Sequence, residues 1–581
     1  MDNRKVLLMG NAAVARGLYE SGCQVVSSYP GTPSTEITEE TSRFECMHSE
    51  WAPNEKVAVE VAVSAAIGGA RSFAAMKHVG LNVAADPLFT SSYTGINAGL
   101  IIAVADDPGM HSSQNEQDSR YYARSAKIPM LEPSDSEECI SFVKMGFELS
   151  EKFDTPVLLR LSTRVSHSQS IVELNERTEQ PLKDYVKNPA KYVMVPANAK
   201  KRHIEVEKRL TELQQYVEST ELNRIEKGKD SSIGIITSGI SYEYVKEAMP
   251  DVSVLKLGIV NPLPIDLIKE FASSVERLVV VEELEPIIET HCKALGLDVV
   301  GKELFSNIGE INQNLIREKL LNMPIDNFVE YPEVMPNRPP VLCPGCPHRG
   351  VFYTLNKLKL TVMGDIGCYS LGLLPPLSAL DTCICMGASV SGSHGMYLAR
   401  GSEEAKRTVS VIGDSTFIHS GITGLINAVY NGSQSTLIIM DNSITGMTGH
   451  QHNPTTGFNI YGLPAPQVSL EEMCHAAGVT DIHVVDPANL DETRSAISKA
   501  LEFEGVSVVI ARRPCILLKT SPKYKPLVIN EDKCVGCKKC LEIGCPAISM
   551  KNKKSYIDTT LCVGCDLCTG LCPVNAIEKE D

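Results

Sequence analysis

The chain is predicted to be α/β, built from several doubly wound domains with a small α+β domain at its C-terminal end. Two observations predict this. Short apolar runs alternate with helical patterns from Val6 to about residue 517, and the last fifty residues lose that alternation and fill with cysteine instead. A length of 581 residues leaves room for three or four domains, and an apolar content of 43% can furnish their cores. The expected boundaries are 1–185, a charged connector at 186–230, then 231–327, 335–520 and 525–581.

The first domain opens with a strand at Val6. "QVVSSYPGTPSTEI" reads as a strand, a Gly/Pro turn and a helix start, and "EKVAVEVAVSAAIGGARSFAAM" as a helix of small residues followed by a strand. "LIIAVADDPG" and "TPVLLRLS" are strands that end in breakers. The stretch "NAKKRHIEVEKRLTELQQYVESTELNRIEKG" is a charged helix expected on the surface. The next domain begins at "SSIGIITSGISYEYVKEAMP", and the Pro-rich "YPEVMPNRPP" links it to the third.

The net charge of −16 argues against nucleic acid and against an anionic membrane surface. No run of about 18 apolar residues is present, so no membrane span is expected. The N-terminus lacks the apolar core and cleavage site of a signal peptide. Nineteen cysteines, many in C-x2-C pairs and without an export signal, read as metal ligands in a cytoplasmic protein.

Cys562, Cys565, Cys568 and Cys572-Pro573 form C-x2-C-x2-C-x3-C-P, the spacing of bacterial two-cluster ferredoxins. Cys534, Cys537, Cys540 and Cys545-Pro546 repeat it with one extra residue before the last cysteine, expected to widen the loop and to raise that cluster's mobility or oxygen sensitivity. The fourth cysteine of each run serves the other cluster. One 4Fe–4S cluster is therefore assigned to Cys534, Cys537, Cys540 and Cys572, the other to Cys562, Cys565, Cys568 and Cys545. A zinc ribbon is the bland alternative.

In "VSVIGDSTFIHSGITGLINAVYNGSQSTLIIMDNSITGMTGHQ" one strand ends at Gly413-Asp414 and the next at Asn442. Both polar groups fall where open α/β sheets bind ligands. Asp414, Asn442 and the Ile444 carbonyl offer three hard oxygens to Mg2+, and diphosphate oxygens would complete the octahedron. Thr448 in the Gly-rich turn, and Gly387 and Ser389 in "DTCICMGASVSGSHG", suit phosphate or thiazolium contacts. G-D-x27-N before a Gly-rich turn is the thiamine diphosphate signature. That cofactor needs a carboxylate beside its pyrimidine N1′. Glu55 at the start of the small-residue helix is chosen, with Glu60 as the fallback; the bland reading of Glu55 is a helix-start acid favoured by the macrodipole.

"YPGTPSTEI", "CPGCPH", "GDIGCYS" and "MDNSITGMTGHQ" resemble the 2-oxoacid:ferredoxin oxidoreductases. The domain order is similar to that of the alpha subunits in their indolepyruvate branch: a pyrimidine-binding-type domain (1–185), a transketolase-C-like domain (231–327), a diphosphate- and Mg-binding domain (335–520) and a two-cluster ferredoxin domain (525–581). The resemblance covers nearly the whole chain. It implies that Glu55 is the activating carboxylate, that Thr32 lies by the substrate keto group, and that Arg124 binds the 2-oxo acid carboxylate, with Arg120 nearly as good. It implies a third, proximal 4Fe–4S cluster on Cys343, Cys346, Cys368 and Cys515; the alternative is a cofactor-contact loop with His348 as its candidate catalytic residue. Two buried thiols in a turn are the bland reading of "CPGC". Cys23, Cys46, Cys139, Cys292, Cys383, Cys385 and Cys474 are expected in cores.

The implied activity is ferredoxin-dependent oxidative decarboxylation of an aryl 2-oxo acid, indolepyruvate-like, to its acyl-CoA. The partners are a beta subunit in a heterodimer or α2β2 assembly, ferredoxin, coenzyme A and the 2-oxo acid. A non-oxidative thiamine-dependent decarboxylase with a structural iron–sulfur tail is the alternative, and a pure electron-transfer subunit is a third.

Overall fold

A computed structural model describes residues 5–323, 334–336, 338–522 and 524–579. Part of the Pro-rich linker, the expected boundary at 327 and the last two residues lie outside the described residues. The chain divides into two compact units, Met1–Pro332 and Glu333–Asp581.

The first unit is organised by a seven-stranded sheet in the order Ile259–Asn261, Met130–Leu131, Val157–Ser162, Leu100–Asp106, Ser72–Lys77, Val25–Ser28, His48–Trp51. All neighbours are parallel except the Ile259–Asn261 edge. The three central strands are buried along their whole length, as a parallel sheet covered by helices on both faces requires. The first strand, Lys5–Met9, stands apart from this sheet and pairs antiparallel with Gln169–Glu173.

A second sheet, of five strands, contains Asp230–Ser238, Val252–Leu257 and Arg277–Val281. Ile259–Asn261 follows its strand Val252–Leu257 by one residue yet joins the first sheet, so the two sheets are stitched together. The charged connector supplies the helix Pro196–Val217, which buries Val206, Leu213 and Val217. It ends sooner than the sequence predicts. Asn223–Glu226 is a strand, pairing antiparallel with Val252–Leu257, and four residues of mostly polar character carry no pattern that announces it.

The second unit has a six-stranded, wholly parallel sheet: Thr382–Cys383, Thr361–Gly364, Thr408–Gly413, Ser435–Asp441, Val506–Arg512, Asp481–Val485. The tail adds two antiparallel strand pairs, Leu527–Ile529 with Ile577–Lys579 and the hairpin Ile548–Lys551 with Lys554–Ile557. Its small core of Leu527, Ile543, Ile548, Ile557, Leu567 and Ile577 packs against Tyr353, Ala488 and Leu490 of the diphosphate domain. The loop with the extra residue is tied down here. Gly544 takes a left-handed φ of 69°, its carbonyl accepts from Arg349 at 2.5 Å, and Glu542 pairs with Lys357 at 2.7 Å. The wider turn expected to be mobile is held by the neighbouring domain.

Candidate functional site

Three neighbouring strands of the second unit end in polar residues: Thr361–Gly364 before Asp365, Thr408–Gly413 before Asp414, and Ser435–Asp441 before Asn442. Asp414 is 2% exposed. Burial, and then the neighbouring Asp441 carboxylate, push its pKa up to about 7. The Asn442 amide oxygen faces Asp414 Oδ1 at 3.2 Å and the Ile444 carbonyl at 2.7 Å. Turned over, the amide nitrogen would donate to both. With its oxygen inward, three acceptors converge, an arrangement that a hard cation satisfies. Asp414, Asn442 and Ile444 therefore fit Mg2+. The other Asp414 oxygen accepts from Thr455 Oγ1 at 3.1 Å, which fixes the carboxylate.

Gly387 precedes the helix Ala388–Arg400 with φ 85°, and a Cβ there would come within 2.6 Å of Ser420. Asp365 holds this loop by accepting the Gly387 and Ser389 N–H groups at 2.9 and 3.0 Å. Thr448 donates to Gln451 Oε1 at 2.5 Å in the Gly-rich turn that follows Asn442. Gly413 packs under Tyr369, whose hydroxyl donates to the Ile366 carbonyl at 2.6 Å. His348 meets Tyr369 edge-on at 5.9 Å, and burial pushes its pKa down to about 4, so its imidazole is neutral near pH 7.

Cys343, Cys346, Cys368 and Cys515, scattered over more than 170 residues of sequence, are close enough for their charges to interact. Two of them border the metal loop: the Cys515 N–H donates to the Asn442 carbonyl at 2.9 Å, and Cys368 Sγ lies 3.5 Å from where a Cβ on Gly446 would stand. In the tail, Cys545, Cys562, Cys565 and Cys568 line one small apolar cavity, and Cys540 lies beside Cys537 and Cys572. Among the described residues no three His, Cys, Asp or Glu side chains close on a single ion, whereas a cubane spreads its four thiolates over four irons. Cys23, Cys139, Cys292 and Cys474 are buried, but Cys46, Cys383 and Cys385 are exposed and not core residues. Cys383 ends, and Cys385 follows, an edge strand of only two residues, too short to cover them.

In the first unit Glu55 begins the helix Glu55–Gly68, whose N-cap Asn54 accepts the Val57 N–H at 2.9 Å. Glu55 is 5% exposed, and Gly80 lies over it so closely that a Cβ would stand 2.5 Å from Oε1. Glu60 instead forms an i,i+4 ion pair with Lys56, its side chain 44% exposed.

Thr32 lies in the turn after Val25–Ser28. Its carbonyl accepts from Ser112 Oγ at 3.4 Å, and Ser112 in turn receives the Lys77 ammonium through its carbonyl at 2.5 Å and its hydroxyl at 3.2 Å. Lys77 closes the adjacent strand and is buried, which pushes its pKa down to about 8 against the opposing pull of Asp107. Nothing in the sequence singles out Lys77, because a lysine at a strand end looks like a solvent residue. Arg124 is exposed on the helix Arg120–Ala126, where its charge bears on His291. Arg120 is buried and consumed by Asp118 and Glu282, each at 2.6 Å, and by the carbonyls of Glu283 and Glu285. It has no fork left for a substrate.

Residues 365–511 match the family model described as "Thiamine pyrophosphate enzyme, C-terminal TPP binding domain". Residues 16–231 match "Pyruvate flavodoxin/ferredoxin oxidoreductase, thiamine diP-bdg", and 555–578 match "4Fe-4S binding domain". An indolepyruvate oxidoreductase subunit IorA from Methanothermobacter thermautotrophicus is 42% identical over 99% of this chain and 97% of its own. The subunits of the same name from Pyrococcus horikoshii and Archaeoglobus fulgidus are each 41% identical over 99% of this chain, and 97% and 98% of theirs.

Proposed function

This chain belongs to the family of the indolepyruvate oxidoreductase subunit IorA, and from that premise we propose that it is the catalytic alpha subunit of an enzyme converting an aryl 2-oxo acid, coenzyme A and oxidised ferredoxin to acyl-CoA, CO2 and reduced ferredoxin. It is an oxidoreductase acting on 2-oxo acids, and its cofactors are thiamine diphosphate and 4Fe–4S clusters. Bound thiamine diphosphate supplies the electron sink for decarboxylation, and iron–sulfur clusters accept the resulting electrons singly. The observation that carries the reading is the convergence of Asp414, Asn442 and Ile444 oxygens beside Cys368 and Cys515.

In this proposal Asp414, Asn442 and the Ile444 carbonyl hold Mg2+, and Gly387, Ser389, Gly413 and Thr448 shape the diphosphate contacts. Glu55 meets the pyrimidine N1′. His348, neutral, fills the space between the Cys343–Cys346 loop and Tyr369. A beta subunit and ferredoxin complete the assembly. Anaerobic addition of indolepyruvate with coenzyme A should bleach the iron–sulfur absorbance within the turnover time and release CO2. Release of CO2 without bleaching would replace this reading with a non-oxidative decarboxylase.

Thr32 and Lys77 are proposed to orient the 2-oxo acid, with the Lys77 ammonium on its carboxylate. A lysine that titrates near 8 loses its attraction for an anion above that pH. KM for the 2-oxo acid should therefore rise as pH increases from 7 to 9, and Lys77→Met should raise it by about 10–100-fold at pH 7 with a smaller loss in kcat. Arg124→Met, measured beside it, is expected to leave KM within about twofold. The reverse pattern would return the carboxylate to Arg124.

A further inference from the structure

Arg349 is 2% exposed and lies three residues past Cys346, at the start of the helix His348–Leu358. Among the described residues its guanidinium donates only to backbone carbonyls: Cys343 at 3.0 Å, Ile543 at 3.3 Å, Gly544 at 2.5 Å, and Leu342. Among the described residues it forms no ion pair with Asp or Glu. Burying an arginine without a carboxylate is costly unless negative charge comes from elsewhere. One of those carbonyls is that of Cys343 and one that of Leu342 just before it, and the other two immediately precede Cys545. Arg349 also lines the same cavity as Cys545, Cys562, Cys565 and Cys568, and Gly345 of the C-P-G-C turn packs on Val563 and Cys565. Burial pushes the guanidinium pKa down, and the thiols of Cys545, Cys346, Cys343 and Cys565 oppose that.

We propose that Arg349 is a positioning residue whose fixed positive charge raises the reduction potential of the cluster on Cys545, Cys562, Cys565 and Cys568, and links it electrostatically to the proximal cysteine set. This rests on the iron–sulfur reading above. Each one-electron transfer makes the tail cluster one charge more negative and the proximal one less so, with no proton moved. A buried cation between the two favours the electron wherever it is closer to the charge, and low dielectric strengthens that effect. Arg349→Gln removes the charge and keeps a donor; Arg349→Lys keeps the charge and loses the fork.

Reductive titration of the anaerobically purified holoprotein, followed by electron paramagnetic resonance, tests this. Arg349→Gln should make reduction of the Cys545 cluster about tenfold less favourable, about 59 mV for one electron. The Cys534, Cys537, Cys540, Cys572 cluster should shift less, and Arg349→Lys should stay within about twofold of wild type. Unchanged potentials in Arg349→Gln at full iron content would overturn the proposal, as would a tenfold fall in Arg349→Lys or equal shifts at every cluster. If Arg349→Gln fails to load iron, Arg349→Lys decides; loss of iron from both overturns it too, since Arg349 would then be a folding residue. Iron counting on the wild type separates the two readings. About eight irons rather than about twelve removes the proximal cluster, and the tail potential still tests Arg349.

Discussion

Glu55→Gln is expected to lower turnover of every 2-oxo acid by about a thousandfold while iron content and thiamine diphosphate binding stay at wild-type level, because a general acid–base group accounts for about 10²–10⁴ in rate. The side chain is enclosed under Gly80, so an isosteric amide fits where the carboxylate was and the fold has no cause to change. What is lost is the negative charge that favours the reactive tautomer of the pyrimidine. Gly80→Ala reaches the same carboxyl without altering its chemistry. The new methyl would stand 2.5 Å from Oε1, so the carboxyl must move, and turnover should fall by at least about tenfold. Glu60→Gln removes only a half-exposed ion pair and should change the rate less than about twofold. Steady-state rates with circular dichroism of the bound cofactor decide among the three. A silent Glu55→Gln beside an inactive Glu60→Gln would move the catalytic carboxylate one and a half turns along the helix.

The second large effect is at Asp414. Its pKa, pushed up to about 7 in the metal-free protein, means that the ion-binding form must be produced by releasing a proton. Mg2+-dependent binding of thiamine diphosphate should therefore weaken about tenfold for each pH unit below 7. Asp414→Asn should weaken it by about a hundredfold or more at pH 8 and erase the pH dependence. Stability gives an independent readout. The folded state holds this proton more tightly than an unfolded chain with an ordinary Asp, so ionisation destabilises the metal-free fold as pH rises from about 4 to 7. At pH 8 metal-free Asp414→Asn should melt higher than metal-free wild type, and addition of Mg2+ with thiamine diphosphate should raise the wild-type Tm alone. Equal stabilisation of both proteins by the cofactor would dismiss Asp414 as a metal ligand.

Local spacing is what singles out the tail cysteines, Asp414, Asn442 and Glu55 in the sequence as candidates. Each is announced by a neighbour a few residues away: a C-x2-C turn, a strand end, a helix start. What stayed hidden depends on contacts between distant segments. Lys77 gains its meaning only because two adjacent parallel strands bring it to the Thr32 turn. Arg349 looks like one more charge after "CPGCPH" until the carbonyls of Ile543 and Gly544, nearly two hundred residues later, close on it. Ile259–Asn261 reads as a continuation of its own sheet and crosses to another because a one-residue break at Gly258 redirects the chain. The gathering of Cys368 and Cys515 beside the metal loop is likewise a property of the parallel sheet, whose strand ends bring together loops that the sequence keeps apart.

The wider turn ahead of Cys545 has one more implication. Its contacts with Arg349 and Lys357, with Tyr353 and Leu490 packed against the tail core, dock the small cysteine-rich module on the domain before it. In the proposed electron path a module docked this way acts as a relay, and the travelling falls to the external carrier.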